Sequence, residues 1–250
     1  MNNNLVKTIY KEIGETPLEA IIRFKHDNPE YANSKISYAG RLDPMAHGLL
    51  ILLIDDENKN RRIYENLEKD YIFKIIVGVS TDSYDILGLI NSVNINRVNQ
   101  EDLNHFINRY TGEIIQKLPP FSAYIVKGKP LYKWARDNCL DKIQIPERKV
   151  TIKEFKHIST SYIDSNQLLD IIIKRLQMVN GDFRQKDIID LWNLHLKNIP
   201  NQIEIIEMMT TVSSGTYIRG LVNSLSQELD IPMCCLEIYR PRVDRYKLVE

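Results

Sequence analysis

Apolar residues recur along this chain with two periods, and the alternation between them lays out the elements. Leu18, Ile21, Ile22 and the stem of Lys25 share one helical face, which predicts a helix from Thr16 to about Lys25. Its start is written into Thr16-Pro17-Leu18-Glu19: a threonine cap, a proline in the first turn and a glutamate that closes a capping box. A polar loop follows over 27–34, and the unbroken apolar run Leu49 to Ile54 reads as a buried strand. Glu57 to Lys69 is charged, with Ile63 and Leu67 at helical spacing. Tyr71 to Val79 is rich in β-formers and reads as a central strand. A polar turn, Thr81 to Asp85, precedes Ile86 to Ile90. Leu103, Phe106, Ile107 and Tyr110 line one face of a helix over Asn99 to Tyr110. After the break at Pro119-Pro120 come a short helix, Leu131 to Asn138, and a strand, Lys149 to Phe155. Gln167 to Gln177 is a β-branched run that the pattern does not assign. Asp182 to Lys197 is a helix with Ile188, Ile189, Trp192 and Leu196 inward. Ile203 to Val212 is a strand, Ser213-Ser214-Gly215 a turn, and Thr216 to Leu229 a helix striped by Ile218, Leu221, Val222, Leu225 and Leu229. Strands and helices mixed without strict alternation predict an α+β fold rather than a doubly wound sheet.

Composition narrows the class. The 250 residues allow one large domain or two small ones, and 43 % apolar with 26 % charged residues describes an ordinary globular chain. A chain this long buries a core without disulfides or structural metal. The three cysteines, Cys139, Cys234 and Cys235, read as reduced, the adjacent pair as core. His26, His47, His105, His157 and His195 fall in no ligand spacing, so no metal is expected. Met1 to Lys7 is polar, without the apolar stretch of a signal peptide, and no run approaches the roughly 20 residues that span a bilayer. The expectation is a cytoplasmic or otherwise intracellular protein that touches no membrane. Net charge is zero, yet Lys117 to Lys149 carries eight Lys/Arg against three Asp/Glu, and Arg240 to Lys247 four against one. Two local basic patches on a neutral protein suit a shaped polyanion; solvated surface charge is the alternative.

Candidate chemistry concentrates in two turns. Gly40-Arg41-Leu42-Asp43-Pro44-Met45-Ala46-His47-Gly48 holds one carboxylate in a glycine-bracketed turn at the mouth of the Leu49–Ile54 strand. Pro44 fixes its own φ and pushes Asp43 away from helical geometry. An Asp held this way is either a turn-former or a reactive group. The second turn, Ser213-Ser214-Gly215-Thr216-Tyr217-Ile218-Arg219, ends a strand and opens a helix, where free N–H groups make an anion site. Arg219, off the apolar stripe, could hold a carboxylate or phosphate in a forked pair; a solvent-facing arginine on a capped helix is the plain alternative.

Five segments in order resemble the TruB family of tRNA pseudouridine synthases: Gly40 to Leu50, Lys69-Asp70-Tyr71, Thr81 to Asp85, Gly128-Lys129-Pro130-Leu131-Tyr132 with Ala135-Arg136, and Gly215-Thr216-Tyr217-Ile218-Arg219. Lys11 to Pro17 is similar to the family's opening motif with two substitutions. The resemblance implies a pseudouridine synthase fold, a central mixed, largely antiparallel sheet flanked by helices and loops, as one catalytic domain over 1–250. It implies isomerisation of a uridine in RNA to its C-glycoside, without cofactor or metal, on the T-arm of tRNA or another structured RNA, by a monomer. Asp43 takes the place of the catalytic carboxylate, attacking the sugar or deprotonating it. Tyr71 matches the tyrosine under the target base, and Arg219 is the candidate salt-bridge partner. Asp85 matches an acidic position near the pocket with its role open, and Lys59 a lysine close to the site. The basic 117–149 region resembles an RNA-gripping insertion, with Lys127, Lys129, Lys133 and Arg136 as phosphate contacts or plain surface charge. Departures from the family are as informative. Tyr38 stands where a histidine wedges into the flipped-out base's space, and Arg41 replaces a smaller residue. Ile125 replaces a lysine. The family's C-terminal PUA-type RNA-binding domain is not expected, and 164–201 reads as an insertion. Another RNA target, or an idle RNA-binding or RNA-folding module, are the alternatives to the T-arm enzyme.

Overall fold

The computed structural model describes residues 5–197, 199 and 202–248. Residues 1–4, in the polar stretch Met1–Lys7, and 198, 200 and 201, in the expected 164–201 insertion, lie outside the described residues. In chain order the strands are β1 (Val6–Lys11), β2 (Ile36–Ala39), β3 (Ala46–Ile54), β4 (Lys69–Val77), β5 (Val79–Thr81), β6 (Ile90–Val93), β7 (Gly112–Lys117), β8 (Ile125–Val126), β9 (Lys129–Pro130), β10 (Glu147–Asp164), β11 (Gln202–Val212), β12 (Met233–Val243) and β13 (Tyr246–Lys247). The helices are α1 (Pro17–Asp27), α2 (Arg61–Glu65), α3 (Gln100–Tyr110), α4 (Leu131–Arg136), α5 (Ser165–Gln177), α6 (Gln185–Leu196) and α7 (Ile218–Leu229).

Among the described residues nine strands join one sheet in the order β1-β3-β12-β4-β11-β10-β7, with β2 on β3 and β13 on β12. Every pairing is antiparallel except β12 with β3, so the α+β, mixed, largely antiparallel expectation matches. Helices cover both faces. Leu103 and Phe106 of α3 and Ile218, Leu221, Val222 and Leu225 of α7 pack with Phe73, Ile75 and Met208. On the other face Leu168, Ile172 and Leu176 of α5 and Ile188, Trp192 and Leu196 of α6 pack with Ile76, Ile205 and Cys234. Strand alternation splits β3: Leu50, Leu52 and Ile54 lie under α1, while Leu49, Ile51 and Leu53 face Val243.

The expected capping box is present: Glu19 N–H donates to the Thr16 hydroxyl at 3.2 Å and Thr16 N–H to the Glu19 carboxylate at 2.7 Å. The buried stripe of α1 is Pro17, Ala20, Ile21 and Phe24, one residue out of register with the expected one; Leu18 (62 % exposed) and Ile22 (60 %) face outward. Both stripes have helical spacing, and Phe24 docking beside Ala20 decides between them. The charged 57–69 segment, with Ile63 and Leu67 at helical spacing, forms only a 3-10 turn plus α2; Ile63 is exposed and the chain enters β4 at Lys69. The unassigned 167–177 run is α5, capped by Asp164; its buried face overrides β-branched propensity. The basic tail at 240–247 is a correction: Arg240 is fully buried in the central strand β12, and Arg242 pairs with Asp70.

Candidate active site

The Asp43 turn joins β2 to β3, and buried cations hold its backbone. Arg240 donates to the carbonyls of Gly40 at 2.9 Å and Leu49 at 2.8 Å, and its other terminal nitrogen lies 3.4 Å from the Tyr71 hydroxyl. Lys11, also fully buried, donates to the Ala46 carbonyl at 2.6 Å and the Pro44 carbonyl at 3.3 Å. Gly14 N–H donates to the Pro44 carbonyl at 2.9 Å, and Ala46 N–H closes the turn by donating to the Asp43 carbonyl at 3.0 Å. Lys69 caps the Leu67 and Glu65 carbonyls beside Gly40. Burial pushes both lysines down to about 8. Gly40 adopts φ +75°, a conformation that favours glycine.

Arg219 projects from the first turn of α7 into the protein and is 2 % exposed. Its Nε donates to Asp43 Oδ2 at 2.9 Å and its terminal nitrogens to the Ser83 carbonyl at 2.7 Å and the Phe121 carbonyl at 3.1 Å. Asp85 Oδ2 lies 3.6 Å from the same Nε. Burial alone would lower the Arg219 pKa, but the Asp43 and Asp85 carboxylates outweigh it and hold the guanidinium charged. Asp85 accepts from the Ser83 hydroxyl at 2.6 Å and Leu87 N–H at 3.0 Å; burial pushes its carboxyl up, and Arg219 opposes the shift. Asp43, its side chain 29 % exposed, is the member of this trio open to solvent. The anion site expected at the start of α7 is modified: Gln116 takes Tyr217 N–H at 2.8 Å, and the Arg148 guanidinium lies over Gly215, where an added Cβ would come within 2.3 Å of it.

Two cavities meet at Arg41, Leu42, Asp43 and Ala123. One, of about 380 Å³, is lined by Asp43, Tyr71, Lys69, Arg148, Gly215 and Ile238. The other, of about 300 Å³, includes Thr16, Phe121, Tyr132, Arg136, Arg184 and Arg219. Both are of small-molecule or nucleotide size. The structure thus gathers Asp43, Arg219, Asp85, Tyr71, Arg41 and Arg136 around one junction.

Other expected site residues lie elsewhere. Tyr38 packs with the α1 cluster beneath the Arg61 guanidinium, outside both cavities, because alternation along β2 turns it to that face. Lys59 is exposed and pairs with Asp56 at 2.7 Å. Lys129 pairs with Asp137 and sits over the Trp134 ring, Lys127 reaches the Lys142 carbonyl, and Lys133 is exposed. None of these four lysines lines either cavity. Among the described residues no group of three or more His, Cys, Asp or Glu is placed to hold a metal ion, and no helix is long and apolar enough to cross a membrane. Sequence reasoning passed over Arg148, Lys69, Phe121 and Arg184. Lys69 opens the Lys69-Asp70-Tyr71 segment, a usable signal; Arg148 and Arg184 reach the site only through strand register and helix docking.

A family model described as TruB family pseudouridylate synthase (N terminal domain) matches residues 29–174. The chain is 27 % identical over 242 residues to tRNA pseudouridine synthase B of Aquifex aeolicus, covering 97 % of this chain and 69 % of that one. It is 29 % identical over 221 residues to the protein of that name from Ligilactobacillus salivarius, covering 88 % and 70 %. Among solved structures it is similar to a chain of a Cbf5–Nop10–Gar1 complex, with TM-score 0.59, 16 % identity, 98 % of this chain covered and 50 % of that one. A chain of an H/ACA ribonucleoprotein bound to a substrate RNA containing 2′-deoxyuridine gives TM-score 0.56 and 15 % identity, with 98 % and 49 % covered. These structural likenesses show a shared fold, and the chain spans about half the length of the solved chains it matches.

Proposed function

The chain belongs to the TruB family of pseudouridylate synthases, and from that premise we propose that it isomerises a uridine in structured RNA to pseudouridine, with the T-arm uridine of tRNA as substrate. The observation that carries this reading is the Asp43 carboxylate, pinned by buried Arg219 and facing a cavity walled by Tyr71 and Ile238. The reaction breaks the N1–C1′ bond, turns the base, and joins C5 to C1′; the hydrogen on C5 leaves and N1 gains one. Asp43 either adds to C1′ or removes a sugar proton, and both roles need a charged carboxylate in fixed orientation. Arg219 supplies that orientation through one forked side chain tied to two backbone carbonyls as well.

A uridine stacked in folded RNA must be flipped out, at a cost of a few kcal/mol. Stacking on Tyr71 offsets part of that, at about 1–3 kcal/mol for an aromatic–base contact. Arg41, Lys69 and Arg148 around the same cavity are the phosphate contacts closest to the chemistry, and Arg136 stands at the neighbouring one. The test is to incubate the protein with unmodified tRNA and map pseudouridine by carbodiimide-dependent reverse-transcriptase stops. Product with the wild type and none with Asp43→Ala is expected; product unaffected by that substitution would overturn the mechanism.

A further inference from the structure

The second cavity is walled in part by the connection between α5 and α6, a segment that the proposed chemistry does not use. Met178 to Arg184 is held at four places. Its start packs on Gly14, where an added Cβ would come 2.7 Å from Met178 Cβ and O. Asn180 donates to Glu19 at 2.9 Å, and Asp182 accepts from Arg136 of α4 at 2.8 Å. At its end Arg184 adopts φ +64°, a left-handed conformation rare for a side chain of this size. That turn directs the guanidinium to Asp82, at 2.8 and 3.2 Å, and over the Phe121 ring at 4.6 Å. Behind it the two helices are anchored by a wholly buried Trp192, whose indole N–H donates to the Ile86 carbonyl at 3.3 Å. The connection is therefore fixed wall.

The lining is flat-sided and close to electrically balanced. Phe121, Tyr132, Phe183 and Arg184 present planar groups, while Arg41, Arg136, Arg184 and Arg219 face Asp43, Asp85 and Asp182. A bare phosphate would call for a clear cationic surplus; with Asp82 neutralising Arg184 there is none, and planar, charge-balanced walls suit a nucleobase. The cavity shares Arg41, Leu42 and Asp43 with the one that holds Tyr71, so its occupant lies next to the reacting nucleotide. We propose that the α5–α6 connection makes this cavity a subsite for a nucleotide flanking the target uridine in the same RNA, with Arg184 and Phe121 as its stacking surface. The subsite rests on the RNA-isomerising reading above, and it makes Arg184 a substrate-binding residue.

The experiment compares wild type, Arg184→Ala and Arg184→Lys on an unmodified T-arm stem-loop and on stem-loops with an abasic residue immediately 5′ or 3′ of the target. In the wild type one of the two abasic positions is expected to raise KM roughly tenfold, the size of one lost stack, with kcat within about twofold. Arg184→Ala should raise KM on intact RNA by a similar factor and add nothing on that abasic RNA. Arg184→Lys keeps a cation for Asp82 but loses the plane, so it should follow the alanine variant and serves if alanine impairs folding. Factors that multiply at both abasic positions, or Arg184 variants with unchanged KM, would overturn the subsite. Failure of the wild type to isomerise intact RNA would instead overturn the underlying reading.

Discussion

Replacing Arg219 with methionine separates an orienting role from a bracing one. The substitution keeps most of the volume and removes a cation with five donors. Two carboxylates then lose their partner, unequally. Asp43, 29 % exposed, can draw on water; the Asp85 side chain, 6 % exposed, is left with the Ser83 hydroxyl and Leu87 N–H. Breaking a buried pair from one side costs about 3–5 kcal/mol, a large part of the ~5–15 kcal/mol that holds a domain folded. Most of that loss falls on Asp85, whose carboxyl burial already raises and Arg219 now restrains. In the variant the folded state therefore binds protons more readily than the unfolded state, and stability falls as pH rises above the unfolded carboxylate range. Urea unfolding should show a deficit at about pH 7.5 that shrinks by about pH 5.5. Adding Asp85→Asn removes the orphaned charge and should restore most of the stability. Turnover should not follow: misplacing a catalytic group by about 1 Å costs on the order of a hundredfold, so kcat on the T-arm stem-loop stays down by at least that in both variants. Recovery of turnover together with stability in the double variant would refute the orienting role.

Three further outcomes are expected. Gly48→Ala places a Cβ 2.4 Å from the Arg240 carbonyl oxygen and 2.9 Å from its nitrogen at φ +107°, so β3 and β12 must separate; a loss of roughly 3 kcal/mol or more should appear as a lower urea midpoint, and a wild-type midpoint would contradict it. Glu237 is held at about 2 by His47 and, against burial, by Arg175, so its contribution is present above the unfolded value near 4.5 and lost as pH falls toward 2. Glu237→Gln should remove up to ~3 kcal/mol of that acid-sensitive stability, and an unchanged acid limb in thermal melts would count against the network. Lys11, at about 8 when folded and near 10.5 unfolded, binds its proton less readily in the folded state, so stability rises through that window. The wild type should gain up to ~3 kcal/mol on Lys11→Met between pH 8 and 10.5; a constant difference would show that the ammonium is not desolvated.

Short-range signals were the readable ones. Thr16 and Glu19 meet in the capping box because three residues of helix bring them together, and α3 and β11 follow from local periodicity. The Asp43–Arg219 pair, 176 residues apart in sequence, was reached only because both turns resemble one family's motifs; spacing alone left Asp43 as turn-former or reactive group. β12 escaped because its pattern is broken by Glu237, Arg240 and Arg242, and its burial comes from lying between β3 and β4. Arg240 looked like surface charge for the same reason. Tyr38 lies outside both cavities on parity: a strand position fixes the face, and motif alignment does not see faces. Lys129 and Lys127 find local partners, Asp137 and a backbone carbonyl, that a count of charges ignores.

Buried cations beneath a reactive loop need a reason, since each costs desolvation that an apolar residue would avoid. The loop supplies it. A segment that turns at Gly40 and carries Pro44 cannot run its carbonyls into a ladder, and orphaned carbonyls would cost as much as the lost bonds. One ammonium or guanidinium reaches several at once: Lys11 donates to Pro44 and Ala46 and Arg240 to Gly40 and Leu49, across the loop and its entry into β3, while Arg219 ties the Ser83 and Phe121 carbonyls of two other segments to Asp43. A neutral hydroxyl has a single proton to give and no such reach. The same positive charges set the field at the cavity floor, where RNA brings its phosphates. Backbone satisfaction and polyanion attraction thus come from the same side chains, which is why replacing them with apolar residues, even where it relieves desolvation, should cost the loop its shape.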